Sequence, residues 1–228
     1  MKNNKRITDK YIDVVYSEEI RPFTSYPLKL SSFLIKKYKI SPKKKLLDIG
    51  CGRGEFLNGF IENGIEGYGV DRVNSVSEKF SKISFKKSNI EEEGLPYEDE
   101  SFDIVFSKSV IEHFYDPSNY ISEAYRVLKK GGLLITMCPS WEYNYRIYFE
   151  DFTHRSPFML ESLRDIQLMV GLKEVEVEFF HQLPIIWRLP FIKILSFLTR
   201  IFLPRSFSKY SKWVRFSKEI MLLSTSRK

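Results

Sequence analysis

Three glycines lie between a short apolar run and a predicted helix, in the segment LLDIGCGRGEF at residues 46–56. At Gly50, Gly52 and Gly54 the missing side chains would allow a tight turn and let the backbone touch a ligand. A strand that passes through such a turn into a helix is how an α/β sheet binds an adenosine-containing cofactor. The spacing is GxGxG and the dinucleotide fingerprint is GxGxxG, so a nicotinamide dinucleotide is the weaker interpretation.

An acidic residue supports the same kind of pocket. Asp71 ends the next apolar segment, 21 residues after Gly50. A carboxylate in this position can accept hydrogen bonds from both ribose hydroxyls of a nucleoside. Taken alone, Asp71 fits equally well as a solvated acid in a turn, but its agreement with the glycine turn favours the pocket.

The order of predicted elements indicates the fold that must position these residues. Apolar runs predict strands at 45–50, 66–71, 82–90, 102–109, 132–138, 173–180 and 219–226. Helical patterns lie at 27–38, 54–64, 116–132 and 156–171. Regular alternation of strand and helix predicts an α/β protein with a parallel sheet covered by helices.

The ends of three helices carry specific signals. We expect the helix at 54–64 to end at Gly64. The helix at 116–132 should begin at Pro117 and end in the Lys-Lys-Gly-Gly run at 129–132. The helix at 156–171 should begin at the Ser-Pro pair at 156–157 and end at Gly171. The stretch between the last two strands, 181–218, is too long for a turn and predicts an insertion with its own structure.

Composition narrows the class of protein. With 228 residues, 43% of them hydrophobic and 29% charged, the chain fits one soluble domain with an elaboration and excludes a disordered protein. Cys51 and Cys138 do not make a disulfide framework, and no apolar stretch of signal-peptide length follows the basic start, so we expect a reducing cytoplasm. Residues 181–228 hold ten Lys or Arg and one acid, which gives this region +9 and leaves −2 for the first 180 residues.

At this point the sequence resembles the class I S-adenosylmethionine-dependent methyltransferases. LLDIGCGRGEF is similar to the family's first motif, GVD (69–71) to its second and SNI (88–90) to its third. LPYEDESFDIVFSKSVIEHFYDP, YRVLKKGGLLITMCP and the final EIMLLSTSRK are similar to the remaining motifs and the last strand. The resemblance implies a Rossmann-like doubly wound seven-stranded sheet with the last strand antiparallel. N-terminal helices (1–44) would precede a methyltransferase domain (45–228) with a helical insertion before the last strand.

The resemblance also implies S-adenosyl-L-methionine as cofactor and S-adenosyl-L-homocysteine as product. The implied cofactor-binding residues are Asp48, Gly50, Cys51, Gly52, Gly54, Asp71, Arg72, Asn89, Ile90 and Ser107. Asp71 would hold the ribose, and Asn89 stands where many relatives have Asp beside the adenine. Ser107, at the end of the fourth strand, would face the cofactor.

Two polar groups are candidates for the chemistry on the acceptor. Glu112 and His113 follow the fourth strand, and His113 has an intrinsic pKa suited to a general base, although the pair could instead hold the loop. Some quinone O-methyltransferases have an acid-x-x-acid-His metal site here, but Ser109 replaces the first acid, so we predict no metal. Four further polar residues follow the fifth strand and predict a substrate lid like that of methyltransferases in bacterial surface-glycan synthesis: Glu150, Asp151, His154 and Arg155. Alternatively, the aromatic residues around them belong to the core and His154 caps the following helix.

The apolar segment 183–204 is interrupted by Arg188, Lys193 and Arg200 and by prolines, so it fits a transmembrane span poorly. Its composition favours a segment that lies on an anionic membrane, with a helical cap on the core or a dimer contact as alternatives. Nucleic acid is a less favoured partner, because the aromatic and basic residues at 205–218 match no recognised RNA module.

These observations predict a cytoplasmic S-adenosylmethionine-dependent methyltransferase, peripheral to the inner face of a membrane. Its acceptor would be an oxygen of a small molecule or of a sugar in a glycan precursor. An N-methyltransferase and a non-catalytic cofactor-binding scaffold are the alternatives.

Overall fold

The computed structural model of the protein describes residues 14–15 and 17–228. Its strands are β1 (Lys45–Ile49), β2 (Glu66–Asp71), β3 (Ser84–Lys87), β4 (Phe102–Lys108), β5 (Leu128–Pro139), β6 (Lys173–Phe180) and β7 (Met221–Arg227). Its α-helices are α1 (Tyr26–Lys37), α2 (Glu55–Glu62), α3 (Ile90–Glu93), α4 (Pro117–Val127), α5 (Trp141–Asn144), α6 (Leu160–Val170), α7 (Pro184–Arg188), α8 (Lys193–Phe202) and α9 (Lys212–Lys218). The predicted N-terminal helix at 27–38 corresponds to α1, and the rest of the predicted N-terminal helices at 1–13 and 16 lies outside the described residues.

The seven strands form one sheet with the order β3-β2-β1-β4-β5-β7-β6. β1 pairs in parallel with β2, β2 with β3, and β4 with β5. β7 runs antiparallel to both of its neighbours, β5 and β6. The predicted seven-stranded Rossmann-like sheet with an antiparallel last strand is confirmed. The chain divides into two compact units, one ending at Pro96 and the other comprising Tyr97–Lys228.

In the first unit, glycines on β2 bring a helix close to the sheet. A Cβ on Gly67 would lie 2.6 Å from the Ile61 side chain and 2.9 Å from Leu57, both on α2. Since α2 packs directly on β2, the turn that precedes this helix is held beside the end of the strand. The predicted end of α2 is confirmed, because Gly64 follows it with a φ of +85°.

In the second unit, the helix predicted at 116–132 is shorter than expected. It begins at Pro117 as predicted, with the Asp116 side chain accepting a hydrogen bond from the Ser118 N–H. However, it ends at Val127, and the predicted Lys-Lys-Gly-Gly helix end at 129–132 is wrong. The buried Leu128 is extended and pairs with Phe102 of β4, so the run belongs to the irregular start of β5.

The helix predicted at 156–171 also begins later than expected. The Ser-Pro pair does not open it, because Phe158 forms a bridge with Ser140 and keeps this stretch extended. The helix α6 begins at Leu160, and the Ser162 hydroxyl accepts a hydrogen bond from the Met159 N–H just before the helix. Gly171 closes the helix as predicted. The predicted strand at 82–90 is likewise reduced to β3, since α3 starts at Ile90.

The segment 181–218 has its own structure, as predicted. It contains α7, α8 and α9 with short 3-10 helices at Pro190–Ile192 and Arg205–Lys209. Among the described residues, every helix is too short or too polar to cross a membrane.

Candidate functional site

The glycine turn in the first unit has the backbone that its sequence predicts. Gly50, Gly52 and Gly54 have φ values of +68°, +51° and +84°, the left-handed region that other residues avoid. The N–H groups of Gly50 and Cys51 both donate to the carbonyl of Val70, at 2.8 and 3.2 Å. The turn after β1 is thereby hydrogen-bonded to the end of β2.

Asp71 connects three strand ends. Its Oδ2 accepts a hydrogen bond from the Gly52 N–H at 2.9 Å, and its Oδ1 accepts one from the Val73 N–H. Its carbonyl accepts a hydrogen bond from the Ser88 N–H, just after β3, at 3.0 Å. Burial raises the pKa of Asp71, while these N–H groups and the charge of the adjacent Arg72 act in the opposite direction.

A second buried carboxylate lies close to Asp71. Asp48 is 3% exposed, and its pKa is raised well above the usual value by burial and then by the charge of Asp71. Among the described residues, none donates a hydrogen bond to the Asp48 carboxylate. Two neighbouring acids that are shielded from water remain ionised more readily beside a positive charge. The ammonium and sulfonium groups of S-adenosylmethionine would supply it, so these residues fit the predicted cofactor.

The turn also has open space where a ligand would lie. A Cβ added to Gly52 would meet nothing within 4 Å, whereas one on Gly54 would lie 2.6 Å from the Ile83 side chain. Gly52 is therefore the position at which the backbone is open to a ligand, whereas Gly54 lies against the Ile83 side chain and is favoured by its positive φ. The Cys51 thiol is buried against Gly69, so only its backbone lies at the turn.

The two residues predicted beside the adenine lie just after β3. Asn89 precedes α3 and accepts the Glu92 and Glu93 N–H groups through its carbonyl, and no side-chain cap is formed. Asn89 and Ile90 are both half-buried. Their side chains are thus partly accessible, and their predicted contact with the adenine stays a prediction.

Ser107, in the second unit, does not have an accessible side chain. It is fully buried, and its hydroxyl hydrogen-bonds to the Tyr120 hydroxyl of α4 at 2.5 Å. The Tyr120 hydroxyl lies 3.3 Å from that of Thr136 in β5. This chain of hydroxyls holds the Ser107 side chain in the core, and its predicted contact with the cofactor stays a prediction.

The predicted catalytic pair and the predicted lid are brought together within the second unit. Glu112 and His113 lie in a 3-10 helix at Ile111–His113, after β4. The carbonyl of Glu112 accepts hydrogen bonds from the N–H groups of Arg155 and Ser156, at 2.8 and 3.0 Å. Backbone bonds therefore fix the segment after β5 against the segment after β4.

The Glu112 side chain is completely buried. Neither of its carboxyl oxygens has a hydrogen-bond partner among the described residues. Burial, together with the charge of Asp151, raises its pKa to about 8. At neutral pH the folded protein therefore keeps this carboxyl protonated.

The hydrogen bonds of His113 determine its tautomer. Its Nδ1 lies 2.9 Å from the Thr153 hydroxyl, and that hydroxyl donates to Asp151 Oδ1 at 2.5 Å. Because a hydroxyl has one proton to donate and a carboxylate can only accept, His113 must donate through Nδ1, which leaves the lone pair on Nε2. Burial and the neighbouring His154 lower the pKa of His113 to about 4, so the ring is neutral at physiological pH.

His154 has the same tautomer for a similar reason. Its Nδ1 lies 2.6 Å from the Tyr148 carbonyl, which can only accept. Burial lowers its pKa, and its ring centroid lies 4.9 Å from that of His113. The alternative that His154 caps the following helix is wrong, since α6 begins only at Leu160.

His154 is also the third potential metal ligand that the sequence did not reveal. One ligand atom from each of Glu112, His113 and His154 lies within 4.8 Å of the others. The reason given for expecting no metal, the serine at position 109, is therefore wrong. Bonds of about 2.1 Å to zinc would place ligand atoms only about 3.4 Å apart, so the cluster would have to contract, and a metal-free site stays our prediction.

The remaining lid residues have different surroundings. Glu150 is exposed, and Asp151 holds Thr153 through both its N–H and its hydroxyl. Arg155 donates to two backbone carbonyls and lies 5.2 Å from the Tyr115 ring. Thr153 was missed by the sequence analysis, although an Asp two residues before a Thr is a usual side-chain turn.

Comparison with known proteins identifies the central part of the chain. Residues 47–136 match the family described as a methyltransferase domain. The chain is 30% identical over 101 residues to a probable S-adenosylmethionine-dependent methyltransferase of Mycolicibacterium smegmatis, covering 42% of this chain and 38% of that protein. It is 34% identical over 97 residues to the ubiquinone biosynthesis O-methyltransferase of Cereibacter sphaeroides, covering 40% and 39%. The chain thus spans about two fifths of the length of these relatives.

A solved structure has the same fold. Phosphoethanolamine N-methyltransferase 2 of Haemonchus contortus, in complex with S-adenosyl-L-methionine, superposes with a TM-score of 0.68 at 19% identity, covering 96% of this chain and 59% of that chain. Residues 47–136 thus resemble a methyltransferase domain, and the likeness to the solved structure shows that the chain has the fold of that class.

The open position at Gly52 predicts a selective effect of a small side chain. Gly52→Ala should weaken the binding of S-adenosylmethionine at least about tenfold, because the new methyl group occupies ligand space. Gly131→Ala is the matched control, since Gly131 also has a positive φ and open surroundings but lies at a turn in β5. Both variants should lose about 1–2 kcal/mol of stability from backbone strain. Equal cofactor affinity in the two variants, measured by calorimetry, would contradict this assignment.

The buried Glu112 carboxyl predicts a pH-dependent effect on stability. Its folded pKa of about 8 exceeds the ordinary value of 4.5, so wild-type stability falls as pH rises between these values. Glu112→Gln resembles the protonated form, and its stability relative to wild type should rise over the same range by a few kcal/mol and then level off. Urea unfolding at several pH values measures this difference. The exposed Glu142→Gln is the control, and a pH-independent difference for Glu112→Gln would show that the carboxyl is ionised.

Proposed function

We propose that the protein transfers the methyl group of S-adenosylmethionine to an oxygen of its acceptor, a hydroxyl on a small molecule or on a sugar. The observation that carries the proposal is the neutral His113, held by Thr153 and Asp151 with its lone pair on Nε2. A hydroxyl must lose its proton as it accepts a methyl group, and a neutral imidazole is a suitable base.

Residues of the first unit would hold the cofactor. The sulfonium supplies an activated methyl group when the cofactor is bound. Asp71 would accept hydrogen bonds from the ribose hydroxyls, and Asp48 would balance the positive charge of the methionine part. Gly52 would let the backbone approach the ligand. The methyl transfer itself then depends on alignment of the acceptor.

The second unit would prepare the acceptor. His113 would take up the hydroxyl proton at Nε2, and the resulting positive charge would be stabilised by the Thr153–Asp151 pair bonded to Nδ1. Because Glu112 is neutral at neutral pH, it would not form a buried ion pair with the protonated His113 and hold the proton there. The hydrogen bonds that orient His113 are already present in the resting protein.

The lid suggests the class of acceptor. Phe149 and Phe152 are exposed, and Arg155 donates a hydrogen bond to the Phe152 carbonyl. Exposed aromatic faces are suited to the apolar faces of sugar rings. These features support a sugar or glycan-precursor hydroxyl as acceptor. Methylation of nitrogen is the competing activity, because the matched relatives include both oxygen and nitrogen methyltransferases by name.

Replacement of the base separates these possibilities. His113→Ala should lower kcat for a hydroxyl acceptor by about 10²–10⁴-fold and leave cofactor affinity unchanged. With a pKa of about 4, His113 is neutral at higher pH, so the wild-type rate should stay nearly constant from about pH 5 to pH 8. Met169→Ala, exposed on α6, is the control.

The same assay identifies the alternatives. An unchanged kcat in His113→Ala would contradict the base and favour an amine acceptor that needs less help with its proton. Cofactor binding without methyl transfer to any acceptor of a broad panel would favour the non-catalytic scaffold.

A further inference from the structure

The helix α8 buries polar side chains and exposes apolar ones, which is the reverse of the usual arrangement on a protein surface in water. Its buried residues are the polar Ser196 and Thr199, at 0% and 7% exposure. Its large apolar side chains are exposed together with those that flank it: Phe191, Ile194, Leu195, Phe197, Leu198, Ile201 and Phe202. Surface helices normally place their apolar stripe on the core and their polar face in water.

The polar face of α8 is fixed to the protein by specific hydrogen bonds. The Thr199 hydroxyl accepts from the indole N–H of Trp213 on α9 at 2.9 Å. The Lys218 ammonium donates to the carbonyl of Arg200 at 2.9 Å. These contacts fix the rotation of α8 about its axis, so the apolar side chains are held outward by the packing of the second unit.

The charge around this face indicates what covers it. Residues 183–218 contain eight Lys or Arg and no Asp or Glu. A second copy of the chain would bring these cations against an equal number of cations, which disfavours self-association through this face. An anionic surface with an apolar interior matches both the charge and the exposed side chains.

A cavity under α8 adds a place for a single anionic group. It has a volume of about 200 Å³ and is lined by Tyr143, Phe179, His181, Lys193, Phe197 and Arg200, among others. Burial lowers the pKa of His181, and the charges of Lys193 and Arg200 lower it as well. Both cations line the cavity, which gives it a positive potential. The Arg200 guanidinium lies over the Tyr143 ring at 4.4 Å, which holds this cation in place.

We propose that α8 and its flanking residues 183–218 form a surface that binds an anionic lipid bilayer. The apolar side chains enter the interface, the flanking cations contact headgroups, and one headgroup phosphate occupies the cavity beside Lys193 and Arg200. This surface would bring the protein to acceptors carried on lipids, but its binding to vesicles does not depend on the proposed methyl transfer.

Flotation of the full chain with vesicles tests the proposal. Wild type should float with phosphatidylcholine vesicles containing about 30% phosphatidylglycerol and bind weakly to phosphatidylcholine alone. Ile194→Glu/Phe202→Glu should lower binding by tenfold or more, because both side chains lie on the outward face. Lys193→Gln/Arg200→Gln should lose about fivefold per cation, and this loss should shrink at high salt.

Controls separate lipid binding from unfolding and from self-association. Met169→Glu changes an exposed apolar residue on α6 to an acid and should float like wild type. Each variant should keep its circular dichroism spectrum, and free inorganic phosphate added at millimolar concentration should not displace wild type from vesicles. Equal flotation of wild type and Ile194→Glu/Phe202→Glu would overturn the proposal. So would a wild-type dimer by light scattering that becomes monomeric in that variant while neither protein floats.

Discussion

The hydrogen bond from the Gly52 N–H to the Asp71 carboxylate is the interaction on which the candidate site depends. It joins the turn after β1 to the end of β2, and the Asp71 carbonyl extends the connection to the residue after β3. A buried carboxylate is costly unless N–H groups or cations satisfy it. The left-handed glycine backbone is what directs the N–H toward it.

Buried ionisable groups have different charge states in the two units. In the first, Asp48 and Asp71 place two acids in a buried region where a cation would be stabilising. In the second, burial keeps Glu112 protonated and His113 neutral, so the cluster carries little charge at neutral pH. A cationic cofactor suits the first environment, and transfer of a single proton suits the second. The cost of burying charge thus favours both the binding of a cationic cofactor and the transfer of a proton in the proposed reaction.

Much of the fold and of the candidate site could be predicted from the sequence, because the sequence patterns that indicate them are local. The glycine turn, the acid that ends β2 and the proline that starts α4 each depend on residues a few positions apart. The resemblance to a known family supplied the antiparallel last strand. The helix end that failed depended on a tertiary contact: the Lys-Lys-Gly-Gly run joins β5 because Leu128 pairs with Phe102. The hydrogen bond between Ser107 and Tyr120 also depends on tertiary packing that the sequence does not reveal. His154 could not be placed beside His113 from sequence, since only the backbone bonds to Glu112 bring the two segments together. The outward apolar face of α8 was similarly invisible, because its composition does not reveal which side packs on the protein.

The most direct test of the central claim is calorimetric titration of S-adenosylmethionine into wild type and Asp71→Asn. The amide keeps an acceptor for the Gly52 N–H but removes the negative charge from the ribose site. Hydrogen bonds to a charged group contribute about 1.5–3 kcal/mol, so Kd should rise about 10- to 100-fold with little change in melting temperature. Equal affinity in the two proteins would contradict the account, because the cofactor would then lie elsewhere.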